Sequence, residues 1–98
     1  MEIVFHPEAL DEFKAETAFY EGIQSGLGAA FADEVLRMIE LARLFPRLGT
    51  PEEDGVRSLI TKRFPFLIYY EIVADQIRVR AVLDCQRDPK WIRSRLRN

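Results

Sequence analysis

The chain has 98 residues, 48% of them hydrophobic and 11% aromatic, and a formal net charge of −2. That length holds one domain, residues 1–98, around one core, and the apolar content favours a packed globule over disorder. A single cysteine (Cys85) excludes an intrachain disulfide and a multi-cysteine zinc site, one histidine (His6) and one cysteine without ligand spacing argue against a metal site, and no cofactor-binding motif is present. No apolar run approaches the roughly 18 residues that span a bilayer, and "MEIVFHPEAL" lacks the basic and apolar regions of a signal peptide. A reducing, cytoplasmic setting without membrane attachment is expected.

"EIVF" is short, β-branched and aromatic, and predicts a first strand. "HPEALDEFKAETAFYEGI" predicts a helix. Pro7 suits its first position, Glu8, Asp11 and Glu12 suit the positive end of its dipole, and His6 suits its cap. Leu10, Phe13, Tyr20 and Ile23 recur at helical spacing. The glycines of "EGIQSGLG" stop it in a tight turn. A second helix follows over "GAAFADEVLRMIELARLF", with Phe31, Val35, Met38, Ile39, Ala42 and Phe45 on one face, and Pro46 ends it. The two form an antiparallel hairpin whose apolar stripes need a sheet to cover them.

"PRLGTPEEDG" reads as a polar loop. Three strands follow: "VRSLI", "FLIYYEIV" and "QIRVRAVLDC", the last two joined by a two-residue turn. The middle run is apolar on both faces and belongs in the centre of the sheet. In the last, alternation puts Ile77, Val79, Ala81 and Leu83 on one face and Arg78, Arg80, Val82 and Asp84 on the other. "RDPKW" then reads as a turn into a short C-terminal helix, with Asp88 capping and Trp91 and Leu96 docking back on the body. The fold class is α+β: an N-terminal strand, an antiparallel two-helix hairpin on a mostly antiparallel sheet, and a short last helix.

Charge divides along the chain. Residues 1–55 carry twelve Asp/Glu against four Lys/Arg, and residues 56–98 carry ten Lys/Arg against four Asp/Glu. Arg57, Arg78 and Arg80 are expected to point away from the helices, Lys62 and Arg63 to lie in the turn before the central strand, and Arg87 and Arg93 to follow the last one. Gathered on one side, they would make a continuous positive surface for phosphates or a carboxylate-rich peptide, while the acid lies on the back of the hairpin. Tyr69 and Tyr70 are adjacent and so point to opposite faces, one packing and one open to a ligand. Cys85, at the end of an apolar strand, reads as a packed thiol rather than a nucleophile.

"FHPEALDEF", "GLGAAFADEVLRMIELARLFPRLG" and "GVRSLITKRFPFLIYYEIVADQIRVRAVLDCQRDPKW" together resemble the RelE/ParE superfamily of toxins from type II toxin–antitoxin modules, over nearly the whole chain. The resemblance implies a helical hairpin on an antiparallel sheet, neutralisation by a cognate antitoxin in a hetero-oligomer, and one of two targets: messenger RNA on the ribosome for RelE-like members, DNA gyrase for ParE-like members. It places Arg63, Arg80 and Arg87 as candidates for RNA cleavage, and Arg57, Arg63, Arg78, Arg80, Arg87, Trp91 and Arg93 as candidates for contact with target or antitoxin. Arg87 matches the C-terminal arginine of the RelE-like pattern. Arg93 stands where that pattern has tyrosine, and no histidine or tyrosine follows Tyr70. This departure, with the "RDP..W" ending and the long hairpin, favours the ParE-like branch. RNA cleavage and a non-toxic, antitoxin-binding relative are the alternatives.

Overall fold

The computed structural model describes residues 1–97. Strand β1 (Glu2–Phe5) leads into helices α1 (Pro7–Ile23) and α2 (Leu27–Leu44). A two-residue strand, β2 (Thr50–Pro51), and a 3-10 turn (Glu53–Gly55) precede β3 (Val56–Ile60), β4 (Phe66–Val73), β5 (Gln76–Asp84) and the last helix, α3 (Pro89–Arg97). The sheet order is β1-β5-β4-β3-β2; β1 runs parallel to β5 and the other pairs are antiparallel. The expected elements are all present, and β2 is an addition inside the loop read as irregular.

Local chemistry explains the boundaries. His6 caps α1, its Nδ1 accepting from the Glu8 amide, and Pro7 occupies the first turn. The Glu21 carboxylate reaches across the hairpin turn and accepts from the amides of Gly26 and Gly28, which neutralises free donors at the start of α2. Gly28 lets the helices approach: a Cβ there would lie 2.6 Å from the Thr17 carbonyl oxygen. Asp88 caps α3 by accepting from the Lys90 amide at 2.9 Å.

The hairpin covers one face of the sheet. Phe31, Val35, Ile39 and Ala42 of α2 and Ala9 of α1 are buried against Leu59, Phe66, Ile68, Tyr70, Ile77, Val79 and Val82. Phe31 meets Tyr20, Phe64 and Phe66 with ring centroids 4.9–5.5 Å apart. Fully burying one such side chain stabilises by about 1.5–3 kcal/mol. Ile23 and Phe45, predicted on the apolar stripes, sit at helix ends and are exposed.

The opposite face is covered by α3. Ile92 and Leu96 pack there on Val56, Tyr69, Ala81 and Leu83. This layering overturns the simple alternation expected of β5. Tyr69 pairs with Ala81 and Tyr70 with Val79, so Arg80 is a bulge with no partner on β4. The bulge reverses the phase: Ile77, Val79 and Val82 face the hairpin, whereas Ala81 and Leu83 face α3. Past the bulge both faces of the strand therefore bury apolar residues, Val82 under the hairpin and Ala81 and Leu83 under α3.

The bulge lies just past the end of β1, where the outer edge of β5 loses its neighbouring strand. Two side chains take over. Glu12 of α1 accepts from the Val82 amide at 3.1 Å, and Arg95 of α3 donates to the Arg80 carbonyl at 2.9 Å. Arg95 is 7% exposed and also donates to the Glu12 carboxylate, so one ion pair closes the edge and ties the two layers together.

Candidate functional site

A groove of about 370 Å³ opens on the α3 side of the sheet. Its floor is Val56 of β3, Leu67 and Tyr69 of β4, and Ile92 and Leu96 of α3. Along the β5 and α3 side stand Arg80, Arg87, Arg93 and Arg97. Along the β2–β3 side stand Glu52, Glu53 and Asp54. The sheet order separates these walls, because β4 and β3 lie between β5 and the acidic turn.

The cationic wall is partly tethered. Arg80 Nη2 donates to the Leu96 carbonyl at 2.7 Å, and Nη1 lies 3.3 Å from Glu71 Oε2. Arg87, which lines the groove, lies over the Trp91 ring, its guanidinium carbon 4.3 Å from the centroid, a contact that holds the arginine in place. Arg93 and Arg97 are exposed on α3. The acidic wall is held by its backbone: the Glu52 amide donates to the Val56 carbonyl, and Glu52 accepts from Ser58 Oγ at 2.7 Å. Asp54 and Gly55 both have positive φ, 58° and 76°, which makes the turn sharp.

Two groups in this groove are held more firmly in their protonated forms. Burial, then the negative charge of Glu52, pushes the Tyr69 hydroxyl up from its ordinary value. Burial, then Asp84, likewise pushes the Cys85 thiol up. Both stay protonated near neutral pH. His6 is committed to capping α1 and does not line the groove.

The structure brings together Arg80, Arg87 and Arg93, with Trp91 beside Arg87, and leaves out the other three predicted arginines. Arg57 points to the hairpin face, not away from it: it pairs across from Tyr70 and donates to the carbonyls of Gly49 and Arg47 at 2.8 and 3.3 Å. Arg63 sits in the β3–β4 turn, where its amide and that of Lys62 donate to Glu34 of α2 and its side chain lies 5.3 Å from the Phe64 centroid. Arg78 is exposed near the other end of β5 and donates to Gln76. Nor is the surface continuously positive, since Glu52, Glu53 and Asp54 face the arginines. The acid is not confined to the back of the hairpin either: Glu12 turns inward to Arg95. Trp91 is 39% exposed and does not anchor α3; Ile92, Leu96 and Arg95 do. Of the adjacent tyrosines, Tyr69 is the one that faces the groove and Tyr70 the one that packs under the hairpin, a choice that adjacency alone leaves open. Sequence reasoning missed the acidic wall, for which the "PEEDG" acid run was the available signal.

The profile of the family described as ParE toxin of type II toxin-antitoxin system, parDE, matches residues 3–89. The chain belongs to the ParE toxin family. Two solved structures share the fold of this ParE-family chain. In the chromosomal ParDE toxin–antitoxin system from P. aeruginosa, the matching chain is 16% identical, with a TM-score of 0.64, covering 88% of this chain and 97% of that one. In the intact E. coli RelBE toxin–antitoxin complex, the match is 13% identical with a TM-score of 0.65, covering 88% and 98%. Among curated proteins none matches. At these identities the two structures speak to the fold alone. Among the described residues, no helix of this ParE-family chain is long and apolar enough to cross a membrane.

Proposed function

We propose that this ParE-family chain is the toxin of a type II toxin–antitoxin module, that a cognate antitoxin neutralises it in a hetero-oligomer, and that it inhibits DNA gyrase by binding rather than by catalysis. The observation that carries the non-catalytic reading is the groove's lining: the one histidine, His6, caps α1 away from it, and the cations along it are arginines. Cleavage of RNA by attack of a 2′-hydroxyl needs a base for that proton and an acid for the leaving oxygen. Held protonated, Tyr69 and Cys85 are not bases for that step, and the arginines can stabilise charge but move no proton. Family membership supports the toxin and antitoxin parts of the reading, and the two solved structures, both from toxin–antitoxin systems, share the fold.

RNA cleavage on the ribosome is the second reading, and one observation favours it: Arg80, Arg87 and Tyr69 share the same groove. Supercoiling by purified gyrase separates the two. Stoichiometric toxin should stop supercoiling, and translating ribosomes mixed with the same preparation should keep their mRNA intact. Unimpaired supercoiling at large molar excess counts against gyrase as target.

A further inference from the structure

The groove's two walls carry opposite charge over an apolar floor, and that combination narrows what fills it. A polynucleotide channel needs a clear surplus of cations, because its affinity comes from neutralising phosphates and releasing counterions. Here four arginines face three carboxylates, and Glu71, 3.3 Å from Arg80, offsets one of the four. Phosphates drawn to Arg93 or Arg97 would meet Glu52, Glu53 and Asp54 across the floor. A protein segment has the chemistry that matches both walls: an apolar side chain for Val56, Leu67 and Tyr69, a carboxylate for the arginines, and a cation for the acidic turn.

We infer that this groove docks a segment of the toxin's protein target, one that sets an apolar side chain between an acidic and a basic residue, and that it is not a path for a nucleic-acid strand. The inference rests on the toxin reading above and specifies what that toxin's groove recognises. The carboxylates are part of the recognition surface, so both walls contribute to binding with the same sign. Under nucleic-acid binding they would oppose each other.

That difference in sign is the test. Glu53→Lys combined with Asp54→Asn cancels the formal charge of the acidic wall, since Glu52 is kept, and asparagine keeps the positive φ of position 54 accessible. Glu53→Gln with Asp54→Asn is a milder variant in case the first melts early, and Arg93→Glu alters the opposite wall. Growth arrest on graded expression of the full chain is read alongside polarisation of a fluorescent single-stranded oligouridine probe with the purified proteins. A docking groove predicts that changing either wall lowers toxic potency by about tenfold or more, equivalent to ~1.4 kcal/mol, while the RNA probe stays unbound or weakly bound by all forms. Higher potency or tighter RNA binding from the acidic-wall variants, with a loss only from Arg93→Glu, would overturn it. So would unchanged potency in every variant, or lost antitoxin rescue with toxicity intact, which would make the antitoxin the occupant. A wild-type chain that does not arrest growth removes the toxin reading. A docking site for the toxin's target falls with that reading, and wild-type RNA binding that the acidic-wall variants strengthen rejects the docking groove independently of it.

Discussion

Arg95, near the end of the chain, and Glu12, in the first helix, form a two-pronged ion pair: Nε to Oε2 at 2.8 Å and Nη2 to Oε1 at 3.2 Å. The same two side chains satisfy the Arg80 carbonyl and the Val82 amide where β5 has outrun β1. The pair thus does the work of a missing strand and sets α3 against the sheet, which fixes one wall of the groove.

Removing Arg95 leaves the Glu12 carboxylate without its partner and the Arg80 carbonyl short of a bond, while Glu12 still holds the Val82 amide. Arg95→Met is expected to destabilise by about 3 kcal/mol, the lower end of the range for breaking a buried pair, because Glu12 keeps 21% of its side chain exposed. Adding Glu12→Gln, which still offers an acceptor to Val82, should recover part of that loss. Urea denaturation of the single and double variants checks this; strictly additive losses would mean that the two side chains act independently.

Tyr70 and Gly49 make a second long-range contact. The Tyr70 hydroxyl donates to the Pro46 carbonyl at 2.8 Å and accepts from the Gly49 amide at 2.9 Å, which holds the loop after α2 on the sheet. Tyr70→Phe should cost about 2 kcal/mol by leaving buried polar groups unpaired. In Gly49→Ala the new Cβ would lie 2.8 Å from the tyrosine ring, and overpacking of that kind costs about 1–3 kcal/mol. Thermal melts of both variants read these losses, and a Tyr70→Phe melt indistinguishable from wild type would remove the proposed clasp.

Ala74 has a φ of 53° in the turn between β4 and β5, a left-handed conformation that penalises any Cβ. Ala74→Gly is expected to stabilise by about 0.5–1 kcal/mol, the relief of strain exceeding the extra freedom given to the unfolded chain. A lower midpoint in urea would contradict it.

Burial, then the negative charge of Asp84, raises the Glu16 carboxyl above its ordinary value of 4.5, with Arg87 partly opposing. The native state therefore holds this proton more tightly than the unfolded chain, and stability falls as pH rises through the interval above 4.5. Glu16→Gln should raise the melting temperature at neutral pH, and the gain should fade as pH drops below 4.5. A gain that persists unchanged in acid would point to a cause other than ionisation.

Within the groove, Arg87→Ala should weaken growth arrest more than Arg97→Ala, because Arg87 is held in place over Trp91 while Arg97 is exposed on the last turn of α3. A desolvated contact is worth roughly 2–5 kcal/mol and a rim contact under about 1 kcal/mol. Arg80→Ala should also act strongly, partly by releasing the Leu96 carbonyl and loosening α3. Equal loss from all three, measured as inducer dose for arrest, would mean that only total charge matters.

The element order was legible because its signals are local: Pro7 and His6 at the start of α1, Pro46 after α2, Asp88 and Pro89 before α3, and helical or alternating spacing between them. The groove was only half legible. The bulge at Arg80 is invisible in "QIRVRAVLD" because valine and alanine continue the apolar pattern on both sides of it, and only the positions of β1 and α3 decide which layer each residue meets. Arg57 was misplaced because strand alternation does not say which face the hairpin will cover. The pairing of Glu12 with Arg95 and the approach of Glu52–Asp54 to the arginines depend on contacts between distant parts of the chain, which charge counts along the sequence do not encode.

Expression of the full chain without an antitoxin, read in the same cells by a DNA-damage reporter and by amino-acid incorporation, tests the central claim that this toxin acts by binding gyrase. The account predicts early induction of the reporter while incorporation continues. Immediate arrest of incorporation with a silent reporter would contradict it.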